Sequence, residues 1–147
     1  MPNNQVDAEL KRKYQIAFET MYANHDSSSF LMVRMDHLWH LNGDGTAAIV
    51  LSYILNQATK DNQLLRIRNH LWFKCPLAVM QRKLRMSKHK LPRAVATLRI
   101  AGLIETDNRG IPATMWVKIS SKRLEDIKHA YLESLVQNED DGDEEWE

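Results

Sequence analysis

One cysteine, Cys75, five glycines and four prolines are spread over a chain of 147 residues. A lone thiol excludes an internal disulfide and any zinc site built on several cysteines. The sequence marks no partner for Cys75, so it reads as a small buried hydrophobe. The few glycines form no phosphate-cradling loop. No Ser-His-Asp or Cys-His arrangement and no pair of carboxylates at helical spacing stands out, so neither enzyme chemistry nor a cofactor is expected. There is no run of 18 apolar residues, and no basic, apolar leader ending in small residues. The expectation is a cytoplasmic protein without a membrane span.

The most informative absence is of negative charge. Between Asp61 and Glu105 there is no Asp or Glu, while ten Lys and Arg fall from Arg66 to Arg99. The formal net charge of +1 conceals this segregation. Residues 1–138 hold all 20 Lys and Arg against 12 acids, a net of +8, and the last nine residues, EDDGDEEWE, hold the other seven acids. A field of one sign over such a length is the electrostatic footprint of a face that binds polyanions. The plainer alternative is a solvated basic surface, although such surfaces usually mix signs.

Length and 44% hydrophobic content suit one domain with tails. Val6, Leu10, Tyr14, Ala17, Phe18 and Met21 recur at spacings of three and four, one stripe of an amphipathic helix that either packs on the domain or pairs with another copy. HDSSS ends that pattern, so residues 1–29 read as a helix and linker. Phe30 to Val33 reads as a short strand. Asp44 or Thr46 is placed to cap a helix over Ala47 to Ala58, which is apolar on nearly every side. LLRIR and LWFK around Asn69 and His70 suggest a hairpin with a two-residue turn and with Arg66 and Arg68 on one face.

A helix is expected from Pro76, with Leu77, Met80 and Leu84 on one face, and a second follows a tight turn at LRMS. In that second helix Leu91, Ala94, Val95, Leu98 and Ala101 form the buried stripe, which turns the basic residues outward. Ser87 is the expected N-cap, placing free backbone amides beside Lys88, His89, Lys90 and Arg93. Gly102 stops the helix, LIET reads as a strand, DNRGIPA as a loop and TMWVKI as the returning strand. The fold class is therefore mainly α with a small antiparallel sheet: a winged helix-turn-helix over residues 30–120, with added N- and C-terminal helices. Such modules lay their second helix in the major groove of DNA while the wing reaches the backbone or minor groove.

Residues 71–119 resemble the winged-helix proteins common in phages, prophages and plasmids of bacteria. The resemblance is carried by Trp72 and Phe73 on a strand, Ser87 leading the recognition helix, the step Gly102 to Ile104, the wing residues Gly110 to Pro112, and Trp116 on the return strand. It extends over roughly residues 30 to 124. It implies a DNA-binding module, often of the replication-initiator or replisome-organiser kind. Two positions depart from the pattern. The tight turn usually carries Gly, and here Arg85 stands there, at a cost of about 1 kcal/mol if the backbone keeps positive φ. Pro92 falls in the early helix, where it removes a hydrogen bond and disfavours helical geometry at Leu91.

The double-stranded DNA contacts expected on this basis are Arg93 at base edges, Arg82, Arg85, Lys88 and Lys90 on phosphates, and His89 beside them. Thr97, one turn after Arg93, extends the same face, and Arg109 in the wing would touch the backbone or minor groove. Trp72 and Trp116 are expected in the core. His37 and His40 in DHLWH lack a clear further ligand, so no metal is expected. Leu124, Ile127, Lys128, Tyr131, Leu132 and Leu135 make an amphipathic helix over residues 121–136. It serves either its own domain or a homodimer through Leu124, Ile127, Tyr131 and Leu135. Residues 137–147 read as a disordered acidic tail: a solubilising end, a competitor for the basic face, or a hook for a replication or transcription protein. The role expected is phage or plasmid replication initiation or organisation in a bacterial cell. Transcriptional regulation, or a non-enzymatic adaptor for a host protein, is the alternative.

Overall fold

In the computed structural model, residues 2–23, 31–59, 64–67 and 70–141 are described. The chain divides into two compact units, Met1–Leu31 and Met32–Glu147. The first holds helix α1, Pro2–Ala23, on which the stripe residues Val6, Leu10 and Tyr14 are exposed.

The second unit begins with α2, Met35–His40, and α3, Gly45–Ala58. The turn between them uses Asn42 and Gly43, both at positive φ, and the Asp44 carboxylate accepts the Ala47 amide at 3.1 Å, so the expected cap at Asp44 forms. Ala47, Ala48 and Val50 to Ile54 of α3 are buried, because a helix apolar on nearly every side can exist only inside a core. Leu31 to Val33, by contrast, is not a strand, and Met32 and Val33 are exposed. The short apolar run finds no sheet edge to pair with, and Phe30 lies outside the described residues.

Four strands form one antiparallel sheet in the order β1-β2-β4-β3: β1 Leu64–Ile67, β2 His70–Lys74, β3 Ile104–Arg109 and β4 Thr114–Ile119. The expected hairpin forms with its turn moved by one residue. Ile67 pairs with His70, so His70 belongs to the strand, and Arg68 and Asn69, which connect the strands, lie outside the described residues. The wing also differs. Asp107, Asn108 and Arg109 are strand rather than loop, facing Trp116, Met115 and Thr114, which leaves only Gly110 to Ala113 to make the turn. Trp72 and Trp116 are half-exposed and alternate with buried Phe73, Met115 and Val117, so they lie beside the core and not in it.

Helices α4, Leu77–Leu84, and α5, Lys90–Ile100, stand between β2 and β3 in the chain, and α5 packs on α3. Met80, Leu91, Leu98, Leu103, Ile104 and Val117 close the core with Leu51 and Ile54. Helix α6, Ser121–Asp141, packs along α2: Ile127 is buried, Leu124 and Tyr131 are half-buried, and the Tyr131 ring lies 5.7 Å from that of Trp39. Those three residues are thereby spent on their own domain, and of the expected dimer set only Leu135 is exposed. The helix also continues past Val136 into Gln137–Asp141, where a disordered tail was expected. Extending an existing helix costs little per residue, and Gln and Glu tolerate it. Residues 142–147 lie outside the described residues.

Candidate nucleic-acid interface

The turn between α4 and α5 takes its shape from Arg85. This residue adopts left-handed geometry, φ 52° and ψ 43°, so its own amide and that of Met86 both reach the Gln81 carbonyl, Met86 at 3.2 Å. The position that usually carries glycine keeps its conformation here with an arginine, whose side chain is exposed.

At the start of α5 the Ser87 hydroxyl accepts the Lys90 amide at 3.0 Å, and the Ser87 carbonyl accepts the Leu91 amide at 3.3 Å. Ser87 thus caps a first turn, as expected. Pro92 then has no amide to offer, the next bond, Arg93 to His89, is long at 3.4 Å, and regular helix begins only at Lys90. Lys88 and His89 accordingly sit on a turn that leads into the helix.

Leu91, Ala94, Val95 and Leu98 face the core. Helical spacing then sets Lys90, Arg93, Thr97 and Ile100 along the opposite side. Lys90 and Arg93 are exposed and Thr97 is half-exposed, its hydroxyl donating to the Arg93 carbonyl at 3.0 Å. Ile100 is 88% exposed and was not anticipated as part of the surface. Its spacing of seven from Arg93 is the signal that could have placed it there. Arg99, Ile100 and Ala96 border an open cleft of about 600 Å³ against Trp72 and β3.

Arg82, Lys83, Arg85, Ser87, Lys88, His89, Lys90 and Arg93 are all exposed. Among the described residues, no ion pair engages any of these bases. The acid-free run of sequence thus becomes a surface of uncompensated positive charge on α4, the turn and the outward side of α5. The wing is electrically different. Arg109 holds Asp107 at 2.8 Å and Lys118 holds Glu105, so Arg109 stands at the end of β3 with a partner already.

The start of α2 carries a polar cluster in which Asp36 and His37 are buried and Arg34 is exposed. Arg34 grips Asp36 through two hydrogen bonds, at 3.0 and 3.1 Å, and His37 is 3% exposed with Nδ1 lacking a hydrogen-bond partner. Burial lowers the pKa of His37, and the nearby Asp36 carboxylate only partly opposes it. Among the described residues no group of three or more His, Cys, Asp or Glu is arranged to hold a metal, and no helix is long and apolar enough to cross a membrane.

The architecture is that of a winged helix-turn-helix with added helices. It is similar to a solved structure described as a "Possible transcriptional regulator" from Methanosarcina mazei Go1, with a TM-score of 0.50 and 16% sequence identity over 76% of this chain and 86% of that one. At that identity the likeness concerns the fold. No protein-family model matches the chain, and no curated protein matches it.

Proposed function

We propose that the chain binds double-stranded DNA, with α5 entering the major groove and α4 and the Arg85 turn lying on the phosphates. The observation that carries this reading is the run of exposed, unpaired cations from Arg82 to Arg93 on a helix-turn-helix surface, with no acid among them. Arg93 and Lys90 are the groove-facing bases and can donate to guanine edges, while Arg82, Arg85 and Lys88 bind phosphates. His89 follows the phosphates from the capped turn, Thr97 lines the groove through its methyl group, and Ile100 extends that apolar contact toward thymine methyls.

Regulation of transcription is the role that the fold's likeness to a possible transcriptional regulator supports. Initiation or organisation of replication rests on the sequence resemblance alone. Sites found by genomic selection separate the two: one site overlapping a promoter favours regulation, and an array of repeats beside an AT-rich stretch favours replication. A homodimer would read two half-sites, and exposed apolar residues that could serve it are Leu132, Leu135 and Val136 on the second half of α6 and Val6, Leu10 and Tyr14 on α1.

The DNA reading is tested by fluorescence anisotropy on random-sequence duplex across a salt series. The slope of log K against log salt is about −0.9 for each phosphate neutralised. Four to six contacts from this surface predict a slope of about −3.6 to −5.4, reduced stepwise by Arg82→Ala, Lys88→Ala and Arg93→Ala. Absence of binding at low salt would overturn the proposal.

A further inference from the structure

Ile111 is 104% exposed, more than any other large hydrophobic residue among the described ones, and it stands at the tip of the wing between Gly110 and Pro112. A single exposed isoleucine on a helix needs no explanation. This one is held out by a braced structure. Strands β3 and β4 stay paired up to Arg109 and Thr114, the Lys118–Glu105 bridge ties the two arms, the Arg109–Asp107 pair lies along β3, and Gly110, at φ 96°, turns the chain.

The surroundings of the tip suit a polyanion. A shallow groove of about 380 Å³ runs from Ile111 and Pro112 to Trp116, and its charged lining residues are Lys74, which has no ion-pair partner among the described residues, and Arg109, which shares its charge with Asp107. Length fits as well. β3 starts four residues after the end of α5 and runs six residues, about 17 Å at about 3.4 Å per residue, before the turn that carries Ile111. Half a turn of B-DNA, the step from a major groove to the adjacent minor groove, is also about 17 Å.

We infer that Ile111, backed by Pro112, is a minor-groove wedge: it enters a base step, partly unstacks it, and bends the DNA that α5 holds. The inference rests on the DNA-binding reading above and adds an activity to it. Apolar wedges of this kind kink duplexes by about 20–90° toward the major groove. Lys74 and Arg109 would then lie along the phosphates that flank the opened step, and Trp116 against the sugar wall. A wedge of this kind favours flexible pyrimidine–purine steps, so it gives the protein a preference at a position it does not read by hydrogen bonds.

The test pairs affinity with bending, using the full-length protein with Ile111→Ser and Ile111→Phe. Affinity is measured by anisotropy on a random-sequence duplex of about 30 bp. Bending is measured by ligase-catalysed ring closure of fragments of about 150 bp, the persistence length, where closure is slow without a bend. Because the side chain is fully exposed, both variants should keep the wild-type thermal melt. The expected result is a several-fold rise in ring yield with wild type and with Ile111→Phe. Ile111→Ser should bind within about threefold of wild type while losing most of the rise. Two results would overturn the wedge and leave DNA binding standing: wild type that binds without raising ring yield, or Ile111→Ser that raises it as much as wild type. Failure of wild type to bind duplex at all would overturn both.

Discussion

Replacing Arg85 by glycine should make the protein more stable and a poorer ligand for DNA. Arg85 sits at φ 52° and ψ 43° with its side chain in solvent, and the conformation is fixed by two amides on the Gln81 carbonyl. A residue with a Cβ held there costs about 1–2 kcal/mol. Glycine removes that cost but gives the unfolded chain extra freedom worth about 0.5–1 kcal/mol. The net for Arg85→Gly is therefore a gain centred on about 0.75 kcal/mol, within a span of about 0 to 1.5 kcal/mol, or about 3 °C in Tm for a unit of this size. Arg85→Ala keeps the Cβ and should leave stability within about 0.3 kcal/mol, because an exposed substitution with unchanged backbone strain moves little. Both variants lose one cation, so both should flatten the salt slope for duplex binding by about 0.9. Thermal melts and urea titrations of the three proteins, with anisotropy across salt, provide the comparison. A glycine variant no more stable than the alanine variant would refute the argument from backbone strain. Unchanged salt slopes would remove Arg85 from the phosphates.

Three further outcomes follow from the same structure. Ser87→Ala removes the hydroxyl that accepts the Lys90 amide at 3.0 Å and should cost about 1 kcal/mol in urea unfolding, with Ser87→Asp close to wild type. Burial holds the pKa of His37 below its ordinary value of 6.5, with Arg34 and His40 adding to the effect and Asp36 opposing it. Below pH 6.5 the unfolded chain therefore binds a proton that the folded protein refuses. Stability should fall as pH drops from about 7 to about 5, and His37→Phe should flatten that profile; a slope unchanged by the substitution would count against the buried neutral imidazole. The Cys75 thiol is buried and its pKa is pushed up to about 12, so a thiol reagent at neutral pH should label it only on unfolding. Rapid labelling of the native protein would contradict its burial.

Much of this architecture was legible because the decisive segments have strong periodicity. The stripe Leu91, Ala94, Val95 and Leu98 is a repeat of 3.6 residues that permits only one inward face, so the outward side of Arg93 follows from it. Asp44 and Gly102 carry cap and stop chemistry that acts locally and needs no tertiary information. The parts that escaped depend on partners distant in sequence. Asp107, Asn108 and Arg109 are poor strand formers, and they are extended because β4 offers Trp116, Met115 and Thr114 opposite them. Residues 30–33 have strand composition, but strand formation requires a neighbour that composition cannot specify. Ile111 was read as part of the wing loop and Ile100 was assigned no face, and only the geometry around them shows how fully each side chain is exposed.

The candidate surface was legible as charge and less so as shape. The bases from Arg82 to Arg93 were expected outward and are exposed, as no acid nearby in sequence could neutralise them, whereas Lys74 is half-buried. Arg109 was harder, because its partner Asp107 is two residues away on the same strand face, a relation that exists only once the strand is recognised. The wing is consequently braced by charge pairs, whereas α4 and α5 keep theirs free.

The central claim, that the α4–turn–α5 surface receives duplex DNA, is tested most directly by titrating a short duplex into the 15N-labelled protein and mapping amide shifts. The account predicts changes concentrated at Arg82 to Arg93 and on to Thr97, with a second group at Arg109 to Pro112 in the wing. Shifts confined to α2 and the second half of α6, or none at protein concentrations well above the expected Kd, would contradict it.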